Sequence, residues 1–276
     1  MITKVLITVK AYPAISKKYG ETVCTAGITE NGKWIRLYPI PYRKLDYKNQ
    51  FRKYAWIELE LVRNESDFRP ESYRPYNLSD LITTGHIESD RNSWLERREF
   101  VLKKIYTNLD ELIQEAKNKN ICTSLATFKP TKIKDFIYKE VLREWDKSKI
   151  RQLESQNLQG SLFDNEDEND IEKFEVVDKV PYKFSFVFED DSGRESTMMI
   201  EDWETGMLYW HSLVRHKGDE HLACEDVKKK YFNDFALTKD YYFFLGTTKM
   251  HHYVAPNPFV IIGDFRPKHI LQESIF

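Results

Sequence analysis

The sequence predicts an α+β protein made of two small antiparallel β-barrels, or strongly bent sheets, with helical insertions. Three observations predict it. Short β-branched and aromatic runs with period-two alternation open the chain and return near its end. Helical periodicity interrupts them between Asp90 and Lys119 and again between Glu204 and Ala236. A polar, acidic stretch then divides the chain, so the expected organisation is a basic unit over 1–146, a linker over 147–175 and a second β-rich unit over 176–276.

The first unit begins with the strand-like runs KVLITVK, ETVCTAGI, KWIRLYPI and YAWIELELV. Asn31-Gly32 between the second and third is a strong hairpin signal. Pro39 and Pro41 end the third, because proline cannot donate to a ladder. Ser93 is expected to cap a helix whose stripe is Trp94, Leu95, Val101, Leu102 and Ile105. Asn108 caps the next, with Asp110 and Glu111 in its first turn. A strand, KIKDFIYKEV, follows Pro130. In the last unit a hairpin turns at Asp191-Ser192-Gly193, helical text follows, and KMHHYVAP joins two final strands.

With 276 residues, 41% of them hydrophobic, the chain can hide roughly three quarters of its unfolded surface, which excludes bulk disorder. No apolar run approaches the about 20 residues that span a bilayer. The opening MITKVLITVK has no signal-peptide core, so a cytoplasmic protein with reduced thiols at Cys24, Cys122 and Cys224 is expected. These cysteines are too far apart for a cysteine-based zinc site, and no glycine-rich phosphate loop occurs; no cofactor or metal is expected.

Charge is unevenly distributed. Residues 1–53 hold 11 basic against three acidic side chains, a net +8, whereas Asp164 to Glu175 holds seven carboxylates and one lysine. In the basic segment Lys10, Lys17, Lys18, Arg36, Arg43 and Lys44 would neutralise phosphates. Tyr12, Trp34, Tyr38 and Tyr42 would offer rings on which bases stack. A solvated basic face with core aromatics is the plainer alternative. His251 and His252 fit contact with phosphate or base as well as they fit catalysis, which would need convergent partners.

Two other patterns stand out. Gln159-Gly160-Ser161-Leu162-Phe163 resembles the peptide by which bacterial DNA-processing proteins dock on the sliding clamp, with Gln159, Leu162 and Phe163 as anchors. Glu189, Asp190, Asp191, Glu201, Asp202 and Glu204 would suit magnesium-dependent phosphodiester cleavage if they converged, although turns and helix starts explain the same acids.

TVKAYPAISKKYGETVCTAGI with WIRLYPIPYR, and FFLGTTKMHHYVAPNPFVIIGDF near the end, resemble a prokaryotic family described as carrying a dual OB-containing domain, associated with genomic islands and defence. The resemblance implies two OB-like antiparallel β-barrels that bind single strands through a basic groove and stacking aromatics. It implies no catalytic residues. The expectation is an accessory protein that binds single-stranded DNA or RNA in a bacterial defence, mobile-element or genome-maintenance system. A metal-dependent nuclease or nucleotide-modifying enzyme and a sliding-clamp adaptor are the alternatives.

Overall fold

The computed structural model describes residues 2–16, 19–151 and 176–270. Six strands begin the chain: β1 (Ile2–Lys10), β2 (Ala14–Ser16), β3 (Gly20–Thr29), β4 (Trp34–Ile40), β5 (Ala55–Arg63) and β6 (Ser72–Pro75). Five of them close a ring in the order β1-β3-β4-β6-β5-β1. Every pairing in it is antiparallel except β4 with β6, where Arg36 lies opposite Ser72. The Asn31-Gly32 turn forms as expected: Gly32 takes φ +78°, which glycine adopts without penalty, and its N–H reaches the Thr29 carbonyl at 2.7 Å. β2 pairs with β3, and β7 (Ile82–His86) pairs with the start of β5.

Two helices and three strands follow: α1 (Leu95–Val101), β8 (Ile105–Tyr106), α2 (Leu109–Lys117), β9 (Leu125–Phe128) and β10 (Lys132–Glu140). The helix expected from Ser93 is shorter than its apolar stripe suggested. Trp94 is left-handed at φ +56°, the Ser93 hydroxyl turns back to Asp90, and Ile105 belongs to β8. Asn108 does cap α2, accepting from the N–H groups of Asp110 and Glu111.

The chain resumes with β11 (Tyr182–Glu189), β12 (Glu195–Met199), α3 (Trp203–Arg215), α4 (Glu220–Lys228), a π-helical turn at Lys229–Ala236, β13 (Tyr242–Thr247) and β14 (Phe259–Phe265). Their path repeats the order of the first ring. β10-β11-β12 pair antiparallel, Ile200 bridges to Ile261 in parallel, and β14 pairs with β13, which pairs with β9. β9 and β10 are separated only by residues 129–131 around Pro130, so together they act as one bent first strand. The 1–146 boundary therefore does not describe the pairing: β8, β9 and β10 lie within that range but join β11 and β13.

Three apolar clusters hold this together. Val5, Ile7, Leu37 and Ile57 fill the first ring. Phe136, Phe184, Phe186, Tyr231 and Phe243 fill the second. Between them Leu6, Val9, Ala26 and Ile28 meet Phe244, Ile262 and Phe265. β1 is therefore buried on both faces, with Val5 to Val9 all inaccessible. α3 is pressed on the first unit at Gly206, where a Cβ would lie 2.2 Å from the Tyr12 ring. The protein is mixed α and β, with a closed five-stranded barrel and further sheets. Among the described residues no helix is long and apolar enough to cross a membrane.

Candidate nucleic-acid interface

A cleft of about 850 Å³ opens on the first barrel. It crosses the start of β3 at Thr22 and the end of β4 at Pro39 and Pro41. The connection from β1 to β3 flanks it through Tyr19, and that from β5 to β6 flanks it through Arg63 to Ser66. Arg74 of β6 and Tyr76 just past its end share the face opposite Tyr73, which packs against the barrel core, and both are exposed.

Tyr76 is 66% exposed and Tyr19 40%. Half-buried Tyr38 meets Tyr19 edge-on at 6.0 Å and accepts a hydrogen bond from the Thr22 hydroxyl at 3.4 Å. The Arg63 guanidinium donates to the carbonyls of Asn64, Asp67 and Ser72, shaping the β5–β6 connection, and has no carboxylate partner among the described residues. Arg74 is exposed and has no carboxylate partner among the described residues. Against these two arginines the cleft is lined by one described carboxylate, Glu65.

Few of the residues singled out from the sequence reach this surface; Tyr38 is beside it. Lys17, Lys18, Gln159, Leu162 and Phe163 lie outside the described residues. Lys44 is exposed, and exposed Arg43 is paired with Glu21 at 2.8 Å. Tyr12 is spent on packing: its hydroxyl donates to the Asp178 carbonyl and accepts from the Trp210 indole, both at 2.8 Å. Trp34 meets Phe244 edge-on at 5.3 Å in the seam between the two units.

Arg36 is buried, donating to Ser124 Oγ at 2.8 Å, the Ser124 carbonyl at 3.1 Å and Ser72 Oγ at 3.2 Å. Its charge ties the barrel to the second unit and is withheld from solvent. Lys10 lies 4.3 Å over the half-buried Tyr42 ring, and burial followed by repulsion from Lys53 lowers its pKa to about 8. Neither side chain of that pair is free for an incoming strand.

His251 is exposed, whereas His252 is inaccessible. The His252 Nε2–H donates to the Ala116 carbonyl at 2.7 Å, so Nδ1 accepts from the Thr247 hydroxyl at 2.8 Å. Burial lowers its pKa below 6.5. The unfolded chain takes up a proton that the folded chain resists, so this stability is present above about pH 6.5 and is lost as pH falls below it. The urea midpoint should therefore decline between about pH 7 and pH 5.5, and less steeply in His252→Gln. Parallel slopes for the two proteins would refute this.

The acids expected for metal-assisted cleavage are dispersed. Asp190 organises the β11–β12 turn and accepts from the Leu109 N–H, Asp191 takes the Thr107 hydroxyl, and Glu189 pairs with Lys134. Asp202 and Glu204 pair with Lys53 at 2.7 and 3.4 Å, and Glu201 is half-buried. Among the described residues no three His, Cys, Asp or Glu side chains are grouped to hold a metal ion.

The division of the sheets near residue 104 has a counterpart in family models. One described as Domain of unknown function (DUF8758) matches residues 1–103. Another, Domain of unknown function (DUF8757), matches 106–276, more than half of the sequence. The chain belongs to the DUF8757 family. The DUF8758 match ends after the closed barrel and α1, and the DUF8757 match covers the second circuit of strands together with α2, α3 and α4. No curated protein matches the sequence.

Of the cleft's rings and cations, Tyr19 belongs to the aromatics interleaved with the basic amino-terminal segment, whereas Arg63, Arg74 and Tyr76 were not expected from the sequence as contacts. For Arg74 and Tyr76 the available signal was the run Arg74-Pro75-Tyr76, a cation and a ring two apart.

Proposed function

We propose that this protein binds single-stranded nucleic acid across the outer face of its first barrel. The single observation that carries the reading is the position of the cleft. In an OB-type barrel, oligonucleotides lie across the second and third strands and between the loops joining strands one and two and strands four and five. Counted along the chain through the five strands of the ring, β3 and β4 correspond to those strands, and the connections that hold Tyr19 and Asn64 to Ser66 correspond to those loops. The proposed assignment is an OB-type first barrel, with the repeated strand order supporting a second version in the rest of the chain. This agrees with the dual OB-containing resemblance.

The chemistry supports the same reading. Exposed Tyr76 and Tyr19 offer stacking faces that every base can use, and Arg63 and Arg74 offer phosphate contacts. Phosphate contacts and stacking are open to every sequence, so affinity should track backbone charge and stacking.

Fluorescence anisotropy with labelled single strands over a salt series tests it. Tyr76→Ala should weaken binding by about tenfold, since one stacked base is worth about 1–3 kcal/mol. Arg74→Ala should reduce the slope of log K against log salt by about 0.7. No binding at low salt, or a salt response that is flat, would overturn the proposal.

A further inference from the structure

A second cleft, of about 640 Å³, lies between the first barrel and the β8–β9 edge and shares no lining residue with the first. Its lining brings together three rings, Trp34 at the start of β4, Tyr73 on β6 and Tyr106 on β8, with two exposed lysines, Lys33 and Lys104. Sequence puts these residues as far apart as 33 and 106; only the docking of the two units makes them neighbours. We propose that this cleft binds a nucleoside monophosphate, with the base against the rings and the phosphate between Lys33 and Lys104.

Small-molecule sites are typically about 300–1,000 Å³, lie preferentially between units and combine an apolar wall with a few polar groups. This cleft has that size and place. Its walls are fixed before any ligand arrives. Trp34 is braced by Phe244 at 5.3 Å, and the Tyr106 hydroxyl donates to Glu115 Oε2 at 2.5 Å. Rings held in this way lose little side-chain freedom when a flat heterocycle enters, which favours affinity.

The charge balance selects an anion. Glu71 lines the cleft, but its oxygens accept from the Ser124 N–H at 2.9 Å and the Ser124 hydroxyl at 2.8 Å, and buried Arg36 offsets its charge. Glu115 lies 3.6 Å from Lys104 Nζ, yet it is already engaged by Tyr106 and by the Thr123 hydroxyl at 2.9 Å. Lys104 stays exposed on the ring face of Tyr106 at 4.5 Å, and Lys33, also exposed, lines the same cleft. Two ammonium groups at the rim of an aromatic cleft suit a flat heterocycle joined to a phosphate. An uncharged aromatic would leave the lysines unused, and a sugar phosphate would leave the rings unused.

A free nucleotide and the 5′-phosphorylated end of a strand share this chemistry. Calorimetric titration of the full chain distinguishes them, using AMP, GMP, CMP, UMP, adenosine, ribose 5-phosphate and a tetranucleotide with and without its 5′ phosphate. At least one monophosphate should bind with Kd below about 1 mM, and adenosine and ribose 5-phosphate at least about tenfold more weakly. Lys33→Met and Lys104→Met, both at exposed positions where folding is not at stake, should each weaken it by about tenfold, as expected for a charged hydrogen bond. Tyr76→Ala should leave it unchanged, which separates this site from the strand-binding face. A tetranucleotide that outcompetes the monophosphates only when phosphorylated assigns the site to strand ends; otherwise the ligand is the free nucleotide. No saturable binding of any of these up to about 10 mM, or binding indifferent to both lysine substitutions, overturns the proposal.

Discussion

Lys53→Met is expected to cost about 3–5 kcal/mol of stability, the usual penalty for leaving a buried charge without its partner. Lys53 is nearly inaccessible and lies 2.7 Å from Asp202 and 3.4 Å from Glu204, and Arg266 completes the cluster through Glu204 and Asp264. Burial disfavours the Lys53 charge, but Asp202 and Glu204 hold it protonated. Asp202 is the strained member. One of its oxygens has no hydrogen-bond partner among the described residues, and burial, offset only in part by Lys53, pushes its pKa up. Lys53 in turn holds the Glu204 carboxyl below the usual carboxylate range. With Lys53 gone, Asp202 would either stand as a lone buried carboxylate or take up a proton, at the joint where it bridges to Ala11. Urea unfolding measures the loss, and Lys53→Met with Asp202→Asn should regain most of it because no uncompensated charge remains. A single variant as stable as the parent would show that water reaches Asp202.

Phe136→Ala should cost a similar amount, about 3–5 kcal/mol, for an unrelated reason. Phe136 is wholly buried on β10, directly opposite Phe186 in register, with ring centroids 4.7 Å apart. Tyr231 lies parallel to it at 5.3 Å and Phe184 at 5.9 Å. Rings this size cannot collapse into the space a lost phenyl leaves, so the cavity persists and its lining loses contacts outright. Phe136→Leu, which keeps most of the volume, should cost under about 1.5 kcal/mol. Equal losses for Leu and Ala would mean that ring geometry, rather than volume, decides this site.

Legibility in the sequence followed the range of the forces involved. Turns at Asn31-Gly32 and around Ser192-Gly193, and the cap at Asn108, were readable because each depends on a few neighbouring residues. The helix at Ser93 was misjudged in extent because a stripe of apolar residues does not reveal that Trp94 leaves helical geometry. Composition located a basic amino-terminal segment, but not which cations face outward: Arg36 and Lys10 turn into the protein, while Arg74, beyond that segment, stands in the open. Nor did the two faces of β1 betray themselves, since alternation marks one buried face and β1 has two.

Alone, the sequence determined the longer strands, the capped helix at Asn108, two of the turns and that a protein of mixed α and β structure results, because backbone preference, capping and alternation act over a few residues. Tertiary structure decided that the first five-strand circuit closes and that residues 105–140 join the second set of strands. It also decided that Tyr19 and Tyr76 share a cleft and that Lys33 and Lys104 share another. Those outcomes depend on strand pairing and on the burial of one sheet against another, which couple residues far apart in the chain, and no local pattern records which face a distant partner will cover.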